Sequence, residues 1–401
     1  LHLLSRRQRQ MCIRDRMKFL HLADLHLGKI LQEQSLIEDQ EYMLKQIIGT
    51  IERENIETVL ISGDVYDRSV PPAEAVNLLD SFLRTLIKEL KIKVFIIAGN
   101  HDSKDRLAFG SKIFEDEGLY IESKYNGNLR KVELQDEYGK LNIYMLPFVK
   151  PIEVKQFFKE DLENNYNTAI NKIITKEKID VEERNIILVH QFVTAGTVEP
   201  ERTESEVLSL GGIENVDVSN FECFDYVAIG HVHRPQKIGR DTARYAGTML
   251  KYSFSEINHK KTIPVIEIKE KGNISINLIE LEPLRDMREI KGPIEELIKK
   301  KNYESGNLND YIKAVITNEE PVYDAIGQIR RIYPNTLKLE IKNSKTAGST
   351  EQQALNLENI KKKSELELFC DFYKSQNNID LDANETEIIN NIISEVKHET
   401  D

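Results

Sequence analysis

The chain has 401 residues, 40% of them hydrophobic, and a formal net charge of −12, a composition that predicts a soluble globular protein with a core larger than one typical domain builds. Its apolar runs, such as residues 94–98 and 186–189, fall far short of the roughly 20 residues of a membrane-spanning helix. Three cysteines without paired spacing, Cys12, Cys223 and Cys370, indicate neither a disulfide framework nor a cysteine zinc site, and fit a reducing compartment. Residues 1–16 carry five arginines and one aspartate, so the rest of the chain stands at −16, with residues 351–401 (12 acidic, 5 basic) alone at −7. That balance argues against a nonspecific nucleic-acid coat.

Residues 1–16 have neither the apolar stretch nor the cleavage site of a signal peptide. They are read as a non-native leader, with Met17 the expected start. Strand and helix then alternate: FLHLA (19–23), an amphipathic helix over 35–54, TVLIS (58–62), a helix over 72–90, VFIIA (94–98) and the turn GNHD. Such alternation suggests parallel strands with crossover helices. Strands follow at 142–146, 186–190 and 225–233, and β-rich text runs to about Pro283. Residues 17–283 are expected to form one layered α/β domain. From 284 to 342 a strand-helix-strand-helix-strand pattern predicts a second, small α/β domain, with helices over 293–301 and 322–333. The polar stretch 343–353 reads as a linker. Two apolar stripes at helical spacing follow, Leu366, Phe369, Phe372 and Tyr373, then Ile388, Ile389, Ile392, Ile393 and Val396. They predict a helical tail over 343–401 that docks a partner or packs on its own chain.

Chemistry-bearing residues gather at the strand exits. ISGDVYDRS (61–69) ends an apolar strand on two aspartates, Asp64 and Asp67, which repel each other unless something cationic lies in front of them. Asp24-Leu25-His26 ends the first strand, Asn100-His101-Asp102 the third, His190 a later one, and His231-Val232-His233 another. In open α/β sheets these carboxyl ends form the ligand crevice, and residues two apart in an extended segment face the same side. Imidazoles, carboxylates and an amide oxygen together suit a divalent transition metal. They are too many for one ion, and two ions about 3.5–4 Å apart need a bridging carboxylate, for which Asp64 is the natural choice. Asp67 is then a turn residue behind the ligands, and His21, on the opposite side of its strand, is structural. His2, His259 and His398 receive no role. Arg234, Lys237, Arg240, Arg244 and Lys251 crowd the stretch after GHVH with only Asp241 opposing them, and are candidates for phosphate contacts.

The ordered set D-x-H, GD, GNHD, H and GHVH resembles the calcineurin-like metallophosphoesterases over residues 17 to about 283. HLADLHLGK, SGDVYD, AGNHDS followed by Arg106, GHVHRPQ and YAGTMLKYSFSE (245–256) resemble more closely the SbcD-type nuclease subunits of that superfamily, with PLRDMREIKGP opening the small capping domain. The resemblance implies a β-sandwich flanked by helices. It implies one manganese on Asp24, His26, Asp64 and His233, a second on Asp64, Asn100, His190 and His231, and His101 as the catalytic histidine beside the scissile phosphate. Other divalent transition metals are compatible with the same donors. The implied activity is manganese-dependent cleavage of DNA at duplex ends and hairpins, in a cytoplasmic, nucleoid-associated enzyme without membrane contact. The implied partner is an SbcC-type ATPase with a coiled coil, around a homodimer in a heterotetramer. ATP chemistry must come from that partner, because no G-x-x-x-x-G-K-[ST] occurs. A phosphatase or cyclic-nucleotide phosphodiesterase would use the same donors on a small substrate, but needs neither the added domain nor the tail. A non-catalytic scaffold would not need the complete donor set.

Overall fold

The computed structural model describes residues 17–158, 164–206, 214–303 and 306–343, and scattered positions between 366 and 390. Residues 1–16, the predicted linker from 344 onward, and Phe372, Ile392, Ile393 and Val396 of the apolar stripes lie outside them. The chain divides into two units, residues 1–289 with 309–311, and residues 290–308 with 312–401.

The first unit is built on two six-stranded sheets, as the β-sandwich implied by the resemblance requires. The first runs in the order Ile274–Glu280, Thr262–Ile268, Met17–Leu22, Thr58–Ser62, Lys93–Ile97, Leu119–Glu122. Its last four strands are parallel, as the strand-helix alternation predicts, while Thr262–Ile268 joins Met17–Leu22 antiparallel. The second has the order Gln236–Ile238, Arg240–Tyr245, Tyr226–Gly230, Arg184–His190, Gly139–Leu146, Arg130–Asp136. Period-two alternation sorts its side chains. Ile186, Leu188, Tyr226 and Ala228 meet Phe19, Leu60, Phe95 and Ile97 of the first sheet in one core. Ile187, Val189, Val227 and Ile229 face the other way, onto Ile170 and Ile173 of the helix Tyr166–Lys176. Strands buried on both faces read as unbroken apolar runs, which is why IILV and VAI stand out in the sequence. The helix Tyr166–Lys176 and the strands Leu119–Glu122 and Arg130–Asp136 do not, because polar residues dilute their patterns.

Helix boundaries shift slightly. The helix expected from 35 spans Ile37–Glu54, residues Gln34–Ser35 being drawn into a short hairpin with Ile30–Leu31. The one expected over 72–90 is α-helical only over Ala73–Arg84 and ends in a wider turn over Thr85–Glu89, where Leu90 N–H reaches Thr85 O at 3.0 Å. In the second unit Ile312, Ala314 and Ile316 pack against Ile294, Ile329 and Tyr333, on a three-stranded sheet in the order Met287–Gly292, Tyr311–Ile316, Thr336–Ile341 whose residues 287–289 and 311 are counted with the first unit. The second unit's predicted first helix is two short pieces, Ile294–Leu297 and Lys300–Tyr303, and its second spans Ala325–Arg330, capped by Asp324.

Candidate metal centre

Parallel strands deliver their C-terminal loops to one edge, and the loops are locked to one another there. Asp24 N–H donates to Gly63 O, His26 N–H to Asp64 O and Leu27 N–H to Val65 O, at 2.9–3.0 Å. The Asp102 carboxylate accepts from Val65, Tyr66 and Gly99 N–H at 2.9–3.1 Å, so the aspartate of GNHD ties the third loop to the second. His231 N–H donates to both oxygens of Asp24 at 2.9 and 3.1 Å, bringing in the other sheet. Such close approach leaves no space for a side chain at Gly230, where a Cβ would lie 1.9 Å from Ser62 O, or at Gly99, where it would lie 2.1 Å from Asp64 Oδ1.

Asp24, His26, Asp64 and His231 all have positive φ, between 44° and 92°. Convergence is therefore not a property of extended strand ends, as the spacing of D-x-H suggests. It arises in tight left-handed turns that cost about 1–3 kcal/mol each and persist only where surrounding contacts over-determine them. The loop-to-loop bonds above supply those contacts.

The structure brings together Asp24, His26, Asp64, Asn100, His190, His231 and His233. His26 Nε2 lies 3.2 Å from His233 Nε2, and Asn100 Oδ1 lies 3.0 Å from both His190 Nε2 and His231 Nδ1. Asp64 Oδ2 stands between the two groups, 3.4 Å from His190 Nε2 and 3.7 Å from His26 Nε2. Hydrogen-bond roles make these contacts diagnostic. His190 Nδ1 must donate to Ser62 O at 2.7 Å, because a carbonyl only accepts. In the neutral ring Nε2 then aims a lone pair at two other acceptors, a repulsive arrangement unless a cation sits among them. Without such a cation a proton takes its place: burial lowers the affinity of His190 for a proton, but the Asp64 carboxylate more than reverses this and pushes its pKa up to about 9.

The other rings are held neutral and so available as ligands. Burial pushes His26 down to about 4 and His231 to about 3, the latter helped by His190, and burial also lowers His233. Burial raises the Asp24 carboxyl. It would raise Asp64 too, but His190, His26 and His101 outweigh it and keep that carboxyl well below the usual range. Asp24, His26, Asp64, His190 and His233 are buried, His231 is half-buried and Asn100 is exposed, and such a set of carboxylate, imidazole and amide donors fits divalent transition metals. The charged donors fall into overlapping triads, Asp24–His26–His233, His26–Asp64–His101 and Asp24–Asp64–His190. Asp24 and Asp64 thus each reach donors of both groups, and His231 joins through Asn100.

His101 is about a third exposed, with Nε2 4.0 Å from Asp64 Oδ2. Its Nδ1 is 2.9 Å from Asp67 O, so the second aspartate of ISGDVYD presents its main-chain carbonyl to His101 and its carboxylate to Lys29 at 2.8 Å. Asp67 lies behind the donors, as expected. His21 is buried between the sheets, 3.1 Å from the Tyr226 hydroxyl.

The basic candidates differ from expectation. Arg234 pairs with Glu201, Lys237 with Asp241 at 2.5 Å and Lys251 with Asp286 at 2.8 Å. Arg240 donates to Phe221 O and Phe224 O. Arg244 follows Ala228 in register on the inter-sheet side, where its charge opposes protonation of His21. The row of cations after GHVH is thus mostly engaged by the protein itself. Arg106 is exposed, and among the described residues no carboxylate pairs with it. The sequence reading misses Arg202, whose guanidinium lies 3.7 Å from the Phe192 ring centre and whose charge is felt at His231. No carboxylate pairs with it among the described residues either. It also misses Glu206, whose carboxylate accepts the His233 N–H at 2.9 Å. Both occupy irregular chain with no periodic signal.

Two packed mixed sheets with a carboxylate-centred cluster of imidazoles at their loop edge define a metallophosphoesterase. Residues 17–235 match the calcineurin-like phosphoesterase family, and residues 283–377 match a family described as the type 5 capsule protein repressor C-terminal domain. Over 381 residues the chain is 34% identical to the D subunit of nuclease SbcCD from Staphylococcus epidermidis, covering 94% of this chain and 98% of that protein. The corresponding protein of Staphylococcus saprophyticus is also 34% identical, over 96% of this chain and 99% of its own. Among solved structures, GAP50 of Plasmodium covers 83% of this chain and 99% of its own at 11% identity, with a TM-score of 0.38. The chain belongs to the calcineurin-like phosphoesterases and, within them, to the SbcD nuclease family. No helix among the described residues is long and apolar enough to cross a membrane.

Proposed function

We propose that the chain is the nuclease component of an SbcCD-type complex that hydrolyses DNA phosphodiester bonds, acting on duplex ends as an exonuclease and on hairpins and single strands as an endonuclease. The observation that carries this reading is the convergence of Asp24, His26, Asp64, Asn100, His190, His231 and His233 at one loop edge. Asp24, His26, Asp64 and His233 would hold one manganese, and Asp64, Asn100, His190 and His231 the second. Ions held there supply Lewis acidity and a nucleophile at neutral pH. His101 commits Nδ1–H to Asp67 O and sets Nε2 4.0 Å from Asp64 Oδ2; as an imidazolium it would carry a second hydrogen on Nε2 with which to stabilise or protonate the departing oxygen, returning to the neutral ring. The test is cleavage of linear duplex DNA by the purified protein with manganese, set against a nitrophenyl phosphate ester. Hydrolysis of the ester alone would favour the small-substrate phosphatase reading.

Among the described residues Arg202 and Arg106 have no carboxylate partner, and the charge of Arg202 is felt at His231, so these two are the candidates for phosphate contacts. Arg202→Ala is expected to weaken DNA binding about tenfold and to reduce the salt dependence of binding by about one ion, with metal content unchanged. Unaltered salt dependence removes Arg202 from the interface.

An SbcC-type ATPase is the proposed partner, around a homodimer within a heterotetramer in the nucleoid-associated cytoplasm. Residues 17–283 would form the nuclease domain, 284–342 the capping domain and 343–401 the linker and docking tail. Leu366, Phe369, Tyr373, Ile388 and Ile389 occupy helical positions, Ile388 exposed and the others half-buried, and an amphipathic helix suits a partner groove. Truncation after Lys342 should leave manganese-dependent cleavage of short single strands intact while co-purification with the ATPase is lost. Unchanged co-purification would move the docking surface elsewhere.

A further inference from the structure

The segment YSFSE (252–256) lies outside the donor set, yet the carboxylate it buries, Glu256, leads back to one donor. Glu256 is fully buried and accepts at both oxygens: from Tyr252 N–H at 3.1 Å and the Ser205 hydroxyl at 2.9 Å on one, and from Lys261 Nζ at 2.5 Å on the other. Ser205 Oγ also lies 2.7 Å from His233 Nδ1. Lys261, 5% exposed, donates in addition to His233 O at 2.9 Å and to Thr248 Oγ1 at 2.7 Å.

The proton positions follow from donor counting. Glu256, paired with Lys261, accepts from the Ser205 hydroxyl, which so spends its single hydrogen; of its two lone pairs one meets the Thr203 hydroxyl at 2.6 Å and the other turns to His233. His233 Nδ1 must then carry the hydrogen, which leaves Nε2 a lone pair aimed at the His26–His233 gap. Lys261 meanwhile fixes the main chain of the same histidine. The Tyr252 ring stands edge-on to both rings, with centroids 5.8 Å from His26 and 6.3 Å from His233, and its hydroxyl donates to Leu25 O at 2.7 Å. Carboxylates that hold the second nitrogen of a ligating histidine set its tautomer, orientation and basicity. Here a serine stands between the carboxylate and the ring.

We infer that Lys261, Glu256 and Ser205 form a positioning relay that locks His233 as an Nε2 ligand and so tunes one of the two ion sites selectively. The inference rests on the metal centre proposed above and concerns only the His26–His233 side. Calorimetric titration of the full-length, metal-stripped chain with Mn²⁺ and Co²⁺ tests it without reference to DNA cleavage. In Ser205→Ala, affinity for one ion should fall about 10- to 100-fold while the other ion binds as in the wild type, and the Co²⁺ absorption bands should change. Ser205→Thr, which restores a hydroxyl, should recover most of the affinity, and Glu256→Gln should weaken the same ion. Wild-type binding of both ions by Ser205→Ala overturns the relay alone. Equal weakening of both ions, or loss of cooperative melting in Ser205→Ala, assigns these residues to general packing and also overturns it. If the unaltered chain binds no divalent ion, the metal centre falls and the relay with it.

Discussion

Asp64→Ala is expected to abolish cleavage and to strip or greatly weaken both ions, a larger loss than any other single donor produces. Asp64 Oδ2 lies within 3.4–4.0 Å of His190, His26 and His101, and although Asp24 also reaches donors of both groups, the Asp64 carboxylate is the one held fully charged by the surrounding imidazoles. Without it, two dications held there would lose the anion best placed to screen them from each other. The interaction scales inversely with distance and is weakly screened in a buried site, so binding of the first ion would oppose binding of the second. Metal analysis of the dialysed variant checks this directly. Full occupancy by two ions would refute the bridging role, whereas loss of only one ion would make Asp64 a terminal ligand. The variant also frees the His101 N–H, which donates to Asp64 Oδ1 at 2.8 Å, so melting should be followed in parallel. Asp64→Asn keeps that bond and removes only the charge.

His101→Ala separates chemistry from metal binding. The ring is about a third exposed, unlike the buried His26, His190 and His233, and its Nδ1 is engaged by Asp67 O rather than by another donor side chain. Both ions should therefore remain bound while turnover falls about 10²- to 10⁴-fold, the range for loss of a general acid or a charge stabiliser at a developing oxyanion. The fall should be smaller on a nitrophenyl ester, whose leaving oxygen needs no proton. Full turnover at saturating manganese would sink the role, as would loss of an ion.

The sequence makes the donor set legible because each donor ends an apolar run, and parallel strands carry those ends to one edge. Asp24, Asp64, Asn100 and His190 could be picked out for that reason alone. The local geometry could not: nothing in D-L-H announces that Asp24 and His26 both sit in left-handed turns. Apart from Lys237, whose partner Asp241 is four residues on, the basic row after GHVH reads as an open cationic surface because its partners are remote in sequence. Glu201 lies 33 residues before Arg234, and Asp286 lies 35 residues after Lys251. Arg202, Ser205 and Glu206 go unread for the converse reason. They occupy irregular chain, and their significance comes entirely from what the folded β-sandwich places beside them. The two-sheet architecture is likewise a tertiary outcome, since residues 142–146 and 186–190 have the same apolar pattern as strands of the first sheet.

Whether two ions share Asp64 is decided by anomalous scattering from crystals grown with manganese. Two peaks about 3.5–4 Å apart are expected, one on the His26–His233 side of Asp64 and one on the Asn100–His190–His231 side, each within bonding distance of the Asp64 carboxylate. A single peak, or two peaks of which only one touches Asp64, would contradict the shared bridge.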